Sequence, residues 1–277
     1  MATISNKIEI INRMVKRLET YLEALPENKW SVPSKCDLWE VRDVVSHLGG
    51  AAKRQADSMI KGREGTAEPP TNFARPEASA MSSSNAERDI EQRKLLGSNL
   101  FNAYIANHAE LYELLKSFAN DEWETPCWHA RRGAIPASDY VDLRLQELVI
   151  HDWDIRASID SSVSLDEEGS EALLSVAQTW LSMTFRPGQE VHQNISFRFL
   201  VDGHPDYSHD VISNGSTFSI TEVSSKDPNV TINCDKDSYL LLVYGRILAS
   251  DKGTGLRIHV QGDESLLILF EEWFKGL

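Results

Sequence analysis

Glu147, His151 and Asp154 recur at i, i+4 and i+7 within the stretch 144–156, a spacing that puts them on one stripe of a helix. Around them Leu143, Leu145, Leu148, Val149, Ile150, Trp153 and Ile155 make the segment apolar over most of its circumference, so it is expected to be a largely buried helix. Isolated carboxylates and imidazoles are costly in such a place unless paired, hydrogen-bonded or metal-bound. A Glu and a His one turn apart, aimed into a helical core, suit a divalent metal; a buried Glu–His hydrogen bond is the plainer alternative. His47, inside an earlier helix, adds a second imidazole if the two helices are neighbours. Two imidazoles and one carboxylate leave a coordination position open for water or substrate, as catalytic zinc sites do. For that, the three ligand atoms must lie within roughly 5 Å of one another. Asp154 has two readings. It either accepts a hydrogen bond from a ligand imidazole and fixes its tautomer, or it caps the helix or pairs with Arg156 or Arg42.

The elements that must position these residues are read from periodicity. Ile4, Ile8, Ile11, Val15, Leu18 and Leu22 predict an amphipathic first helix. Asp37-Leu-Trp-Glu40 reads as a capping box for a second helix through Val41, Val44, Val45, His47 and Leu48. From Gly62 to Asn85 the composition shifts to Gly, Pro, Ser, Ala and Thr, an irregular crossover that is either a plain surface loop or a lid over a nearby pocket. One long third helix is expected with Leu95, Leu96, Leu100, Tyr104, His108, Leu111, Leu115 and Phe118 inward. Residues 120–137 read as loop, and their Cys127 and His129 as structural. The Glu147/His151 helix comes fourth, and a fifth begins near Asp166. At Phe185–Glu190 the period changes. Ile195, Phe197, Phe199 and Val201 alternate as a strand does, and Asp202-Gly203 and Asn214-Gly215 are turn dipeptides between strand-like runs, which predict a meander. Val230, Ile232 and Cys234 form a further strand, and Asp235 opens a helix closed by Gly245. A last strand (Leu256, Ile258, Val260) precedes a C-terminal helix. The fold class is therefore α plus α+β: a four-helix bundle over 1–187 and a small α+β domain over 188–277.

The whole chain bounds the function classes. Its 277 residues favour two domains. A net charge of −14 argues against nucleic acid and anionic membranes, which reward clustered Lys and Arg. No apolar run is long enough to insert into a membrane, and the first ten residues lack the apolar core of a secretion signal. Three widely spaced cysteines, Cys36, Cys127 and Cys234, suit a reducing cytoplasm.

Cys36, Trp39, Val41, Asp43, Val44, Val45, His47 and Leu48 together resemble the first signature of the mycothiol-dependent maleylpyruvate isomerase family, within the DinB-like metal-binding bundles. Arg144, Glu147, His151 and Asp154 resemble its second. Val201-Asp-Gly203, Asp227-Pro-x-Val230 and Tyr244-Gly-Arg246 resemble the sterol-carrier-like domain that many members append. The resemblance implies a divalent metal, zinc above all, held by His47, Glu147 and His151. A low-molecular-weight thiol, mycothiol or an analogue, would bind there as thiolate. In the isomerase reaction that sulfur adds to a cis double bond conjugated to a carbonyl, the new single bond rotates, and elimination gives the trans alkene. Arg246 is the best match to a catalytic cation that the C-terminal domain contributes. The expected partners are a small electrophilic substrate and the thiol, acting on a monomer or homodimer. Two other readings stay open: a lipid- or small-molecule-binding protein using a C-terminal cavity, and a thiol-independent metal hydrolase working through bound water.

Overall fold

The structure, a computed structural model, describes residues 2–71, 73–74, 81–250 and 257–275. It divides into two compact units, 1–169 and 170–277.

The first unit is built on α1 (Ile4–Glu23), α2 (Val41–Arg63), α4 (Leu100–Lys116) and α5 (Ala137–Arg156), with α3 (Met81–Leu96) laid along α2. Thr3 caps α1 by accepting from the Asn6 amide at 3.2 Å. The apolar face of α2 is Val41, Val44, Val45, Leu48, Ala52, Ala56 and Met59, all fully buried, and it packs against α3, α4 and α5. The capping interaction differs from expectation. The N-cap of α2 is Glu40, whose amide donates to Asp43 Oδ2 at 3.0 Å, three residues later than Asp37. Leu38 intervenes in the left-handed region at φ 72°, so the chain cannot enter the helix until it has passed that turn.

The expected long third helix is two helices. Gly97, at φ 52°, occupies the left-handed conformation that ends a helix, and a 3-10 turn over Gly97–Asn99 links α3 to α4. Residues 120–137, expected as loop, contain a 3-10 turn and a hairpin, β1 (Pro126–His129) with β2 (Gly133–Pro136). Four-residue strands are too short to show a period. Of the segment 62–85, expected as a loop or a lid, residues 72 and 75–80 lie outside the described residues, as does Leu256 of the expected last strand.

In the second unit α6 (Glu167–Thr184) joins a five-stranded sheet ordered β5-β4-β3-β6-β7. These strands are β3 (Ile195–Val201), β4 (His209–Ser213), β5 (Phe218–Glu222), β6 (Val230–Cys234) and β7 (Ile258–Gly262). The β3–β4–β5 meander is antiparallel, β3 and β6 are parallel, and β7 is antiparallel to β6. Phe197, Phe199 and Ile232 face the core fully buried. Over them lie α7 (Lys236–Val243) and α8 (Leu267–Trp273), with Phe270 5.2 Å from Phe197 ring to ring. The sequence places the change of domain at 187/188, where the period changes. In the structure α6 falls mostly with the sheet: Trp180 stacks on Tyr244 at 5.1 Å and Gln178 Nε2 donates to the Tyr207 carbonyl at 3.2 Å. A cavity of about 480 Å³ in this unit is walled by Leu242, Ile247, Ile268, Phe270 and Phe274. No helix among the described residues is long and apolar enough to cross a membrane.

Gly62 fixes how closely α2 approaches the hairpin, since an added Cβ would meet Cys127 Sγ at 2.5 Å and the Pro126 carbonyl oxygen at 2.7 Å. Gly62→Ala is therefore expected to lower stability by about 1–3 kcal/mol, the usual cost of overpacking. Urea unfolding against wild type measures it; an unchanged midpoint would mean the hairpin is free to shift.

Candidate metal centre

His47 on α2 and Glu147 and His151 on α5 come together because α2 packs against α5. Each offers one ligand atom, and the three atoms lie within 4.8 Å of one another. His47 Nε2 is 2.7 Å from Glu147 Oε2, and His151 Nε2 is 3.4 Å from the same oxygen. Both imidazoles are buried, at 7% and 8% exposure, while the Glu147 side chain keeps 31%. The trio therefore has one partly open side.

What turns both Nε2 atoms toward Glu147 is the partner of each Nδ1. His47 Nδ1 donates to Asp89 Oδ2 of α3 at 2.7 Å, and His151 Nδ1 to Asp154 Oδ2 at 2.8 Å. Both aspartates have no exposed surface. A carboxylate acceptor fixes the tautomer with the proton on Nδ1 and leaves the Nε2 lone pair for a ligand. Of the two readings of Asp154, the geometry places its carboxylate on His151; Arg156 pairs instead with Asp152, and Arg42 with Glu40.

The electrostatics follow from these contacts. Burial opposes the charge of Asp89, but hydrogen bonds from His47 and Arg88 hold its carboxyl down at about 2. Burial likewise opposes ionisation of Glu147, and the two imidazoles overcome it and take it well below the usual carboxylate range. For His151 burial disfavours the imidazolium, yet Asp154 and Glu147 raise its pKa above the ordinary value. Without a metal, the trio is thus a half-buried carboxylate held between two buried imidazoles. The two Nε2 atoms and the Glu147 carboxylate have the composition of a His₂Glu donor set.

Trp39 closes one wall. Its ring lies 4.7 Å from that of His47 and 5.8 Å from that of His151, and the left-handed turn at Leu38 sets it there. Cys36 Sγ lies within 4.8 Å of donor atoms of His151 and Asp154. Arg144, a turn below Glu147, is 1% exposed and donates from Nη1 to the Leu48 carbonyl at 3.2 Å. Arg246 belongs to the second unit. It follows α7, where its amide donates to the Leu241 carbonyl at 2.8 Å and its Nη1 to that of Tyr244 at 3.0 Å.

Asp89 is the functional residue that sequence reasoning missed. Helix α3 carries charge on every side, so no buried stripe stands out. The one usable signal is Ala86, Asp89, Ile90 and Arg93 at i, i+3, i+4 and i+7. Arg93 pairs with buried Asp43 of α2 at 2.5 Å, which ties that face of α3 to the helix bearing His47.

Comparison with known proteins agrees with this architecture. The crystal structure of the mycothiol-dependent maleylpyruvate isomerase superposes with a TM-score of 0.65 at 15% identity, over 94% of this chain and 93% of that one. A histidine-to-alanine mutant of that enzyme gives the same values. At this identity the likeness speaks for the fold. No curated protein matches the chain. The family model described as the mycothiol maleylpyruvate isomerase N-terminal domain matches residues 12–156, which hold all three trio residues and both aspartates. That match spans more than half of the sequence, and the chain belongs to the mycothiol maleylpyruvate isomerase N-terminal domain family.

Proposed function

We propose that the protein is a metal- and thiol-dependent enzyme that isomerises a small electrophilic substrate or transfers a thiol to it, in the manner of a mycothiol-dependent maleylpyruvate isomerase. One observation carries this reading: two imidazole Nε2 atoms converge on a single carboxylate oxygen while each Nδ1 is held by a buried aspartate. A pair of histidines kept only for packing has no need of two dedicated carboxylates. Zinc suits three such donors with one side open. Bound there, it would keep the sulfur of mycothiol or an analogue as thiolate at neutral pH.

The chain's own residues would do the rest. Asp89 and Asp154 hold the Nδ1 protons and raise the basicity of the ligand nitrogens. Glu147, ionised although half-buried, supplies the third donor and lowers the charge of the site by one. Trp39 keeps water from one side of both imidazoles. Addition of sulfur to a cis alkene, rotation and elimination return the thiol unchanged, so the reaction consumes no oxidant or reductant. Arg246 is proposed as the cation that the second unit contributes. Ligand binding without catalysis would instead use the apolar cavity of the second unit, and it would be indifferent to loss of the trio.

His151→Ala is expected to lose both stoichiometric zinc and mycothiol-dependent isomerisation of cis-4-oxopent-2-enoate, followed by ultraviolet absorbance. Equal zinc in mutant and wild type would undo the assignment, and thiol-independent cleavage of an ester by the wild type would favour a hydrolase.

Asp89→Asn removes the charge behind His47, and zinc affinity measured by chelator competition should fall roughly 10–100-fold. An unchanged affinity would make Asp89 a packing residue.

The raised pKa of His151 also sets a pH dependence. Protonation of His151 stabilises the metal-free fold fully below the pKa of a free imidazole, and this gain is lost as pH rises through the raised value. Zinc competes for the same nitrogen, so its affinity should drop about tenfold per pH unit on the acid side of that value. A flat affinity between pH 5 and pH 8, taken as rough working limits around the imidazole range, would contradict the assignment.

A further inference from the structure

Arg54 stands at i+7 from His47 on α2, two turns along the same face. Its side chain folds back against Gly50, where an added Cβ would come within 2.9 Å of Nη1 and 2.6 Å of Gln92 Oε1 from α3. Glycine at 50 makes room for a guanidinium and an amide side by side, next to the turn that carries His47. Among the described residues neither head group makes a hydrogen bond, and the ion-pair contact of Arg54 is Nη1 to Asp89 Oδ1 at 3.8 Å. Asp89 has little left to offer it. One of its oxygens accepts from His47 and both accept from Arg88, which forks onto the carboxylate with Nε at 2.8 Å and Nη2 at 2.7 Å. The Arg54 side chain is 42% exposed, so its donors are reachable by a ligand from solvent.

The charges around the site favour an anion there. Arg54, Arg88 and Arg144 balance Asp89, Glu147 and Asp154. A divalent cation with a thiolate would leave one positive charge over, which one carboxylate neutralises. Burial and the adjacent Arg88 push Arg54 down to about 10, against the pull of Asp89 and Glu147, which leaves it charged at neutral pH.

We propose that Arg54, with Gln92 beside it, is the subsite for a carboxylate of the electrophilic substrate, and that it selects carboxylate-bearing electrophiles over neutral ones. The proposal rests on the reading of the trio as the reaction centre. A guanidinium presents two parallel N–H donors to a carboxylate, whereas lysine presents a point charge, so the fork as well as the charge is at stake.

The test is calorimetric titration of maleate into zinc-loaded protein: wild type, Arg54→Gln, Arg54→Lys and Lys53→Gln. Lys53, which pairs with Asp57 and Glu110 on the outside of the same helix, controls for charge alone. Arg54→Gln should weaken maleate roughly 10–100-fold, the worth of a charged hydrogen-bonded pair, and Arg54→Lys should recover only part of it. Lys53→Gln should stay within about twofold, as an exposed charge does, with zinc content equal in all four proteins. Maleate binding equal in Arg54→Gln and wild type, no binding to wild type, or an equal loss in Lys53→Gln would each overturn the subsite. The titration needs no turnover. Arg54-dependent binding without thiol-dependent isomerisation would uphold the subsite and overturn the isomerase reading alone.

Discussion

Each of the two histidines has one nitrogen committed to a buried aspartate, and the site depends on that commitment. With His47 Nδ1 on Asp89 and His151 Nδ1 on Asp154, the rings cannot turn their Nε2 atoms anywhere but toward Glu147. The constraint is electrostatic as much as geometric. A fully buried aspartate is tolerable only while something donates to it, so carboxylate and imidazole hold each other in place. The remainder of the first unit serves to keep three helices in register around this arrangement. Asp43 joins α2 to Arg93 of α3, and the apolar seam of α2 sets its distance from α5.

The same contacts hold the trio together without a metal. Glu147 is ionised, His151 favours its charged form, and their side is partly open. Both Nδ1 atoms are already engaged by aspartates, so the proposed metal would use the Nε2 side of each ring. On the proposed reading, rings held this way would lower the reorganisation that metal binding requires. Beyond the trio the positive charges of Arg54 and Arg88 lie on the α2–α3 side, and Trp39 lies against the imidazoles themselves.

How much of this could be read from the sequence depended on contrast. Glu147 and His151 were legible because they share one stripe of a helix that is apolar over most of its circumference. His47 was legible as an imidazole inside an apolar run, although only packing could show that it meets the other two. Asp89 was not, since a buried aspartate in a helix rich in Arg and Glu looks like its solvated neighbours. In the fold, the alternation of Ile195–Val201 and the turn at Asp202-Gly203 marked β3 and the start of the meander, while the 3-10 turn at Pro205–Tyr207 before β4 went unmarked. The parallel pairing of β3 with β6 left no local trace. Gly97 divides a helix that periodicity alone runs together, and Gly is common enough within helical patterns to be passed over. Helix α6 is amphipathic in the same way as the bundle helices, so its place beside the sheet could not be told from its own residues.

The central claim is that His47, Glu147 and His151 hold zinc with one position kept for an external thiol. Zinc K-edge absorption of the reconstituted protein, before and after addition of mycothiol, tests it most directly. The account predicts nitrogen and oxygen neighbours alone at about 2.0–2.2 Å at first, then one sulfur at about 2.3 Å once the thiol is present. A sulfur already bound before thiol is added would point to Cys36, which lies close to His151 and Asp154, and no sulfur after addition would remove the thiol from the site; either result contradicts the account.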